Sequence, residues 1–376
     1  MVISWTDENN KKITVVYWSD GWKLQDVEMY GMESDYLQIW YPRNLSDDIY
    51  EKYRELITWI EIEAKWKGEA YSSQMDLSLS VEDILSQFSK TRRYEVRRAK
   101  QRDSLMVQFC MTFDEEELRA FEAYYNQFAL ETQELYSLGV RKVEALWKSG
   151  QFVLAKIMDE HSEILAMHGY IMDRKKGIVA LFSSSSHFRV NREKSALISR
   201  ANSLLHYESM IYFKKSGFKV YDFGGVYLGE ENPHYKSVAD FKRSLGGEIV
   251  IFQNGFMIPM REAKMIDLNL CKLTHKLDNL NIILWGYSSF GKYVERQLKI
   301  KLKKQCKYII DNGLYKEDIK CVSEKILNDL MPNQFIILIC TDKKNYDKII
   351  NQDNVWEFVK ANRVIHMRGE QDVAEV

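Results

Sequence analysis

The feature that most constrains the fold is the order of apolar segments in the middle third of the sequence. Three segments with the β-branched and aromatic residues typical of strands run from Phe152 to Met158, from Glu163 to Met172 and from Ile178 to Ser185. An amphipathic segment from Leu197 to Lys215 predicts a long helix, and a further strand follows from Lys219 to Phe223. Hairpin-like strands followed by a helix and a strand predict an α/β (α+β) domain over residues 89–268.

Two helices are predicted before these strands. The segment from Ser89 to Arg102 is short and basic, and the segment from Asp114 to Tyr136 is amphipathic with an acidic first turn. The basic run favours a solvated helix face or a site for phosphate groups, because its arginines recur at helical spacing.

Residues 1–88 are predicted to form a smaller α+β subdomain. Strand-like segments run from Ile13 to Trp18 and from Tyr36 to Tyr41, and the stretch from Ser46 to Lys67 has the apolar spacing of a helix. Residues 278–376 are predicted to form a third domain. Short apolar segments at Asn281–Trp285 and Phe335–Cys340 alternate with helical ones, as in a small parallel-sheet, Rossmann-like fold.

Composition narrows the classes of protein that fit. The 376 residues carry a net charge of −1 and are 45% hydrophobic, as in a folded multi-domain protein with no overall field for nucleic acid, and we expect no DNA partner. No signal peptide or membrane span is predicted, because the longest uniformly apolar run has six residues, Phe335–Cys340. The 5 cysteines are scattered and the 7 histidines lack ligand spacing, so we expect reduced thiols, no metal and a cytoplasmic location.

Several short motifs of the middle domain resemble one known family. They are Arg200-Ala201-Asn202, Leu205-His206-Tyr207, Tyr221-Asp222-Phe223-Gly224-Gly225, Phe241-Lys242-Arg243-Ser244-Leu245-Gly246-Gly247 and, ahead of them, the basic run Arg92–Lys100. In order and spacing they are similar to the FemABX-related branch of the GNAT acyltransferase superfamily, over about residues 89–255. That branch includes peptidoglycan aminoacyltransferases and acetyltransferase-like proteins of surface-polysaccharide gene clusters.

The resemblance implies a donor site between two strands that part from each other. An acyl-CoA, with acetyl-CoA as the expected donor, would enter between Ile178–Ser185 and Lys219–Phe223, with its phosphates near the N-terminus of the intervening helix. The candidate donor-binding residues near that helix are Arg189, Arg192, Arg200 and Asn202. The usual Arg/Gln-x-x-Gly-x-Gly/Ala loop is absent, since residues 189–196 contain no glycine, and a solvated charged loop is the alternative interpretation.

Lys242 and Asp222 are the predicted catalytic residues. A lysine after Phe241 resembles one that Fem-type enzymes place against phosphate or the developing oxyanion, and Asp222 ends a strand where the family lines its acceptor site. The predicted substrate-binding residues are Arg93, Arg97, Ser184, His206, Tyr221, Gly224 and Gly225. The alternatives are a surface lysine, a loop-capping aspartate, a turn made by the glycines and a packed, hydrogen-bonded histidine.

A glycine-containing loop opens the C-terminal domain. Gly286 and Gly291 lie between a predicted strand and a predicted helix. Asp311 stands at the distance along the chain where dinucleotide-binding domains have the acidic residue that binds the ribose. The second glycine of the dinucleotide motif is replaced by Ser288. The pattern predicts either a nucleotide site formed by these residues or a domain with a structural or partner-docking role.

The function that the resemblance implies is acyl transfer from acyl-CoA to an amine. The acceptor would be a small molecule, such as a nucleotide sugar, or a precursor of a cell-surface polysaccharide or of peptidoglycan. A Fem-type ligase that uses aminoacyl-tRNA is one alternative, and tRNA is a partner only in that case. A non-catalytic scaffold that binds a sugar nucleotide is the other.

Overall fold

The computed structural model describes residues 1–17, 23–40, 47–56, 58–59, 70–132, 138–188, 192–252, 255–274, 276–277, 279–312, 314 and 321–368. Its strands are β1 (Val2–Thr6), β2 (Lys12–Tyr17), β3 (Tyr36–Trp40), β4 (Thr58–Trp59), β5 (Ala70–Asp76), β6 (Met106–Cys110), β7 (Phe152–Met158), β8 (Ile164–Asp173), β9 (Ile178–Ser185), β10 (Val220–Gly225), β11 (Glu248–Phe252), β12 (Phe256–Ile258), β13 (Asn281–Trp285), β14 (Cys306–Ile310), β15 (Cys321–Val322), β16 (Phe335–Ile339) and β17 (Val364–His366). Its α-helices are α1 (Leu24–Gly31), α2 (Asp47–Tyr53), α3 (Val81–Gln87), α4 (Lys90–Arg102), α5 (Glu115–Thr132), α6 (Val140–Lys148), α7 (Ser195–Lys215), α8 (Pro233–Ser244), α9 (Met260–Leu273), α10 (Ser289–Lys301), α11 (Lys343–Ile350) and α12 (Asp353–Lys360). Two short 3₁₀ helices precede β16.

The largest sheet carries the middle of the chain. Its strand order is β11-β5-β10-β9-β8-β7-β6, and β9 and β10 are its parallel pair, while the other neighbours are antiparallel. α7 connects β9 to β10 and packs with α4 over one face of this sheet, where Leu205, Met210 and Phe213 are fully buried. The predicted succession of antiparallel strands, a helix and a further strand is confirmed, and this last strand, β10, runs parallel to β9.

The smaller N-terminal sheet has the order β1-β2-β3-β12-β4. β5 lies before residue 88 yet pairs within the large sheet, and β12 returns from beyond the large sheet to pair with β3. The two sheets therefore interleave along the chain. The helix predicted from Ser46 to Lys67 is too long, because Leu56 turns back on Tyr53 at 2.8 Å and Trp59 pairs with Phe256 in a strand. Residues 60–67 of that prediction lie outside the described ranges.

The C-terminal domain is an all-parallel sheet. Its order β15-β14-β13-β16-β17 places the strands of this domain as 3-2-1-4-5, which is the doubly wound order, so the predicted Rossmann-like fold is confirmed. This domain shares a continuous apolar core with α9 and the N-terminal sheet. Arg296 strengthens that junction through ion pairs with Glu51 at 2.5 Å and Glu55 at 3.1 Å.

No helix in the described ranges combines the length and the apolarity that a membrane span requires.

Gly291 is required by the packing of α10 against the loop that precedes it. A Cβ at Gly291 would lie 1.9 Å from the carbonyl oxygen of Gly286, and Gly286 itself adopts φ +95°. The strand-to-helix turn is therefore closed by two glycines whose missing side chains leave room for the backbone.

Gly291→Ala is expected to lower the free energy of unfolding by about 1–3 kcal/mol, because the new methyl group overlaps backbone that cannot move aside cheaply. Urea unfolding followed by far-UV circular dichroism measures this. Gly139→Ala is the control, since a Cβ there meets only the Lys142 Cβ at 3.9 Å, and a change below about 1 kcal/mol is expected. Equal losses in the two variants would contradict the packing argument.

Candidate active site

The two parallel strands of the large sheet separate at a defined point. β9 and β10 pair only as far as Asp222 opposite Ala180, and both strands continue beyond that pair without bonding to each other. On its other side β9 carries a bulge, because Gly169 faces Ser183 and Tyr170 faces Leu181, which leaves one residue of β9 unmatched. The region between the two strands beyond Asp222, where they are no longer hydrogen-bonded to each other, is called the opening below, and it is where the donor site is predicted.

Lys242 lies at this opening. Its Nζ donates to the carbonyl of Gly225 at 2.7 Å and lies 3.8 Å from where a Cβ of Gly224 would be. The same Cβ position would lie 3.3 Å from the carbonyl oxygen of Leu181 on β9, so the Gly224 turn, which Lys242 contacts, lies beside β9. Burial lowers the pKa of Lys242 to about 8, and the negative charge of Asp222 opposes this shift.

Asp222 is buried and fully engaged with its own chain. Oδ1 accepts from the hydroxyl of Ser72 and from the backbone N–H of Gly224 at 2.7 Å, and Oδ2 accepts from the amide of Gln74 at 2.8 Å. Gly224 adopts φ +73° in this turn, a conformation that glycine adopts freely. These contacts favour a structural role for Asp222, which holds the turn, over the predicted catalytic role. The supporting residues on β5 could not be predicted, because Ser72 and Asp222 are far apart in the sequence.

A chain of hydrogen bonds is buried between α7 and the sheet. Nδ1 of His206 contacts the hydroxyl of Tyr221 at 2.8 Å, which contacts the hydroxyl of Tyr170 at 3.0 Å. Tyr170 contacts Nδ1 of His168 at 2.9 Å, and Nε2 of His168 contacts Oδ1 of Asn202 at 2.8 Å. His206 and Tyr221 are thus hydrogen-bonded core residues, and Tyr170 and His168 are members of the chain that sequence patterns did not indicate.

Asn202 and Arg200, both predicted to bind the donor, have partners within the protein. The amide oxygen of Asn202 belongs to the buried chain. The guanidinium of Arg200 holds the carboxylate of Asp103 through two hydrogen bonds, of 2.6 and 3.0 Å, which join α7 to the end of α4. These contacts give Asn202 and Arg200 partners without a bound acyl donor. The role of both residues in binding an acyl donor stays a prediction.

The charged loop before α7 is only partly described. Lys194 pairs with Asp159 at 3.3 Å, and Arg192 is exposed. Arg189 lies outside the described residues. An exposed arginine next to the N-terminus of a long helix is compatible with either predicted interpretation of this loop.

Three of the predicted substrate-binding residues differ in their contacts: Arg93 and Arg97 on the basic helix α4, and Ser184 on β9. Arg93 donates to the carbonyl oxygens of Ser86, at 2.8 Å, and Phe88, at 2.5 Å, and so satisfies the end of α3. Arg97 is exposed. Ser184 lies opposite His168 in the β8–β9 pairing, beyond the point where β9 leaves β10. Arg97 is therefore accessible, whereas Ser184 and Arg93 are each only partly exposed, and the guanidinium of Arg93 is bound to the end of α3.

The glycine loop of the C-terminal domain closes on Asp311. Its carboxylate accepts from the backbone N–H groups of Tyr287 at 2.7 Å and of Leu314 at 3.0 Å. Asp311 thus ties the loop to the neighbouring strand, as an acid at this position of a doubly wound sheet can do without a ligand. The predicted nucleotide site of Gly286, Gly291 and Asp311 stays a prediction. Within the described ranges, no group of three His, Cys, Asp or Glu side chains is arranged to hold a metal ion.

Comparison with known proteins gives similarities at the level of solved structures. No protein-family model matches the sequence, and no curated protein matches it significantly. FemX is 13% identical, with a TM-score of 0.47, over 66% of this chain and 80% of that chain. L-PGS from Bacillus licheniformis is 12% identical, with a TM-score of 0.41, over 68% and 83%. A tandem GNAT protein from the clavulanic acid biosynthesis pathway is 8% identical, with a TM-score of 0.35, over 60% and 64%. The fold of the middle domain is defined by the strand order of its own large sheet and by the point where β9 and β10 stop pairing.

Asp222→Asn is expected to lower the free energy of unfolding by about 1–3 kcal/mol. The new amide group places donors against Gln74 or Ser72, and a buried donor is left without an acceptor. Urea unfolding measures the loss, and Asp240→Asn on the exposed side of α8 is the matched control. An Asp222→Asn protein that is as stable as the wild type but has no turnover would instead support the predicted catalytic role of Asp222.

Proposed function

We propose that this protein transfers an acyl group from acyl-CoA, with acetyl-CoA as the expected donor, to an amine. The acceptor would be a nucleotide sugar or a precursor of a cell-surface polysaccharide or of peptidoglycan. The observation that carries the proposal is the ammonium group of Lys242 at the opening between β9 and β10. A fixed positive charge at the point where two strands part is suited to a substrate that develops negative charge there.

The chemistry needs no covalent intermediate on the protein. The acceptor amine attacks the thioester carbonyl, the carbonyl oxygen becomes an oxyanion, and collapse of the adduct expels the thiolate. An ammonium group has three donors. Lys242 gives one to Gly225, and no acceptor among the described residues takes the other two. They are available to the oxyanion, while the parting strands hold the thioester and the amine in position for attack.

A second candidate is an aminoacyl-tRNA-dependent ligase. It is favoured by the absence of the glycine loop and by the commitment of Arg200 to Asp103, which leaves fewer cations near the start of α7 for the phosphates of CoA. The same Lys242 would serve an ester donor as well as a thioester, so donor binding is what separates the two candidates.

Acetyl-CoA and CoA are expected to raise the melting temperature of the purified protein, because a ligand that binds only the folded state stabilises it. Differential scanning fluorimetry with each compound, and with ATP as a control for unspecific phosphate binding, measures this. A folded protein that responds to neither CoA species, but binds aminoacyl-tRNA in a filter assay, would move the assignment to the second candidate.

Lys242→Ala is expected to lower kcat by about two to three orders of magnitude, because it removes the charge that meets the oxyanion. Lys242→Arg keeps a positive charge at this position but changes the shape of the side chain. With a pKa of about 8, the lysine loses its charge as pH rises through 8, whereas arginine stays charged. The ratio of wild-type to Lys242→Arg turnover should therefore fall between pH 7 and 9. A ratio that stays constant over this range in folded proteins would contradict the electrostatic role.

A further inference from the structure

The buried chain from Asn202 to His206 has a defined direction. Oδ1 of Asn202 can only accept, so Nε2 of His168 must carry the proton of their 2.8 Å contact. Burial lowers the pKa of His168 to about 4, so at pH 7 the imidazole is neutral and has a single N–H. Its Nδ1 is therefore an acceptor, and the hydroxyl of Tyr170 must donate to it.

The direction continues to the far end of the chain. Because the Tyr170 proton points to His168, the oxygen of Tyr170 accepts from Tyr221, whose proton is then also committed. The oxygen of Tyr221 accepts in turn from Nδ1–H of His206. Burial lowers the pKa of His206 well below its ordinary value, so this imidazole is neutral too and its Nε2 is left with a free lone pair.

This open end of the chain lies beside the candidate active site. The His206 ring is 5.6 Å from that of Phe241, which precedes Lys242, and 5.9 Å from that of Phe223, which follows Asp222. The charged and titratable groups that face His206 are Lys242, Arg92 and His168, with Tyr221 as its hydrogen-bond partner. Among the described residues, Nε2 has no hydrogen-bond partner of its own.

We propose that Asn202 fixes His206 as the tautomer with a free Nε2, and that the chain is a proton relay for the amine. As the amine attacks, its proton passes to Nε2, and His206 gives its Nδ1 proton to Tyr221. Tyr221 passes its own proton to Tyr170, and Tyr170 passes its own to Nδ1 of His168.

The net result of the relay is the transfer of one proton from the amine to His168, because His206, Tyr221 and Tyr170 each gain one proton and lose one. Its positive charge ends on His168, farther along the chain from Lys242, where Nε2–H still donates to Asn202. When the adduct collapses, the proton returns by the same route and protonates the departing thiolate. His206 is the catalytic residue of this step, and Asn202, which acts through three intervening side chains, is a positioning residue. The relay rests on the proposed acyl transfer, whereas the tautomer does not.

The tautomer is tested by two-dimensional ¹H–¹⁵N correlation of the histidine rings in the uniformly labelled full-length protein, without substrate. His206 is assigned by comparison with His206→Gln. We expect a protonated Nδ1 and an unprotonated Nε2 on His206, and the opposite pattern on His168. A protonated Nε2 on His206 would mean that the amide group of Asn202 donates to His168, and it would overturn the proposal whatever reaction the protein catalyses.

The relay is tested by kinetics of three variants. Tyr221→Phe is expected to lower kcat by about 10²-fold and Asn202→Leu by about tenfold or more, with little change in KM, because both interrupt proton transfer. Asn202→Leu should also turn the His206 signals into those of mixed tautomers. Tyr207→Phe on the same helix removes the hydroxyl group of a tyrosine outside the chain and is the control. If Asn202→Leu and Tyr221→Phe match the control in kcat, there is no relay, even with the expected tautomer.

Discussion

The separation of β9 from β10 depends on how β10 is held on its other side. Asp222 is the last residue of β10 that pairs with β9, and its carboxylate is bound to Ser72 and Gln74 of β5 and to the backbone of Gly224. Hydrogen bonds to a charged group contribute about 1.5–3 kcal/mol each, and together they offset the cost of burying a carboxylate. β10 therefore follows β5 into the turn and leaves β9.

The position of Lys242 follows from that turn. Gly225 ends β10 with its carbonyl facing α8, where it accepts the lysine proton at 2.7 Å. A lysine held in this way is desolvated, and desolvation has two effects. It lowers the pKa to about 8, and it strengthens the interaction of the remaining charge with any anion placed nearby. The same burial that makes the charge costly in the free protein would strengthen its interaction with the oxyanion of the proposed reaction.

Sequence patterns predicted the elements of this site better than its contacts. The bounds of β7 and β9 match the predicted segments, since apolar runs flanked by turn residues mark strands in a large sheet. The predicted helix beyond Tyr53 failed because the apolar spacing of residues 53–60 also suits a turn and a strand, and only pairing with Phe256 decides between them.

Contacts between distant residues escape such patterns altogether. The pairing of Arg200 with Asp103 and of Asp222 with Ser72 joins residues about a hundred or more positions apart, and nothing local in the sequence indicates either partner. The motif residues His206 and Asn202 were recognised by resemblance, but their connection runs through Tyr221, Tyr170 and His168, which the sheet brings together. The sequence therefore predicted the type of domain, whereas the contacts of individual residues became visible only in the fold.

The charges around the opening also explain why two histidines can be buried there. Arg92 is neutralised by Glu95 at 2.6 Å and stacks on Phe241, while Lys242 keeps its charge beside an uncharged His206. Burial and the positive charges of Lys242 and Arg92 disfavour a second proton on His206, so its imidazole is neutral. A partly exposed cation and a buried neutral acceptor thus lie near each other, and this is the combination that the proposed attack of an amine on a carbonyl would use. In the proposed reaction the cation would meet the negative oxygen, and the neutral nitrogen would meet the proton.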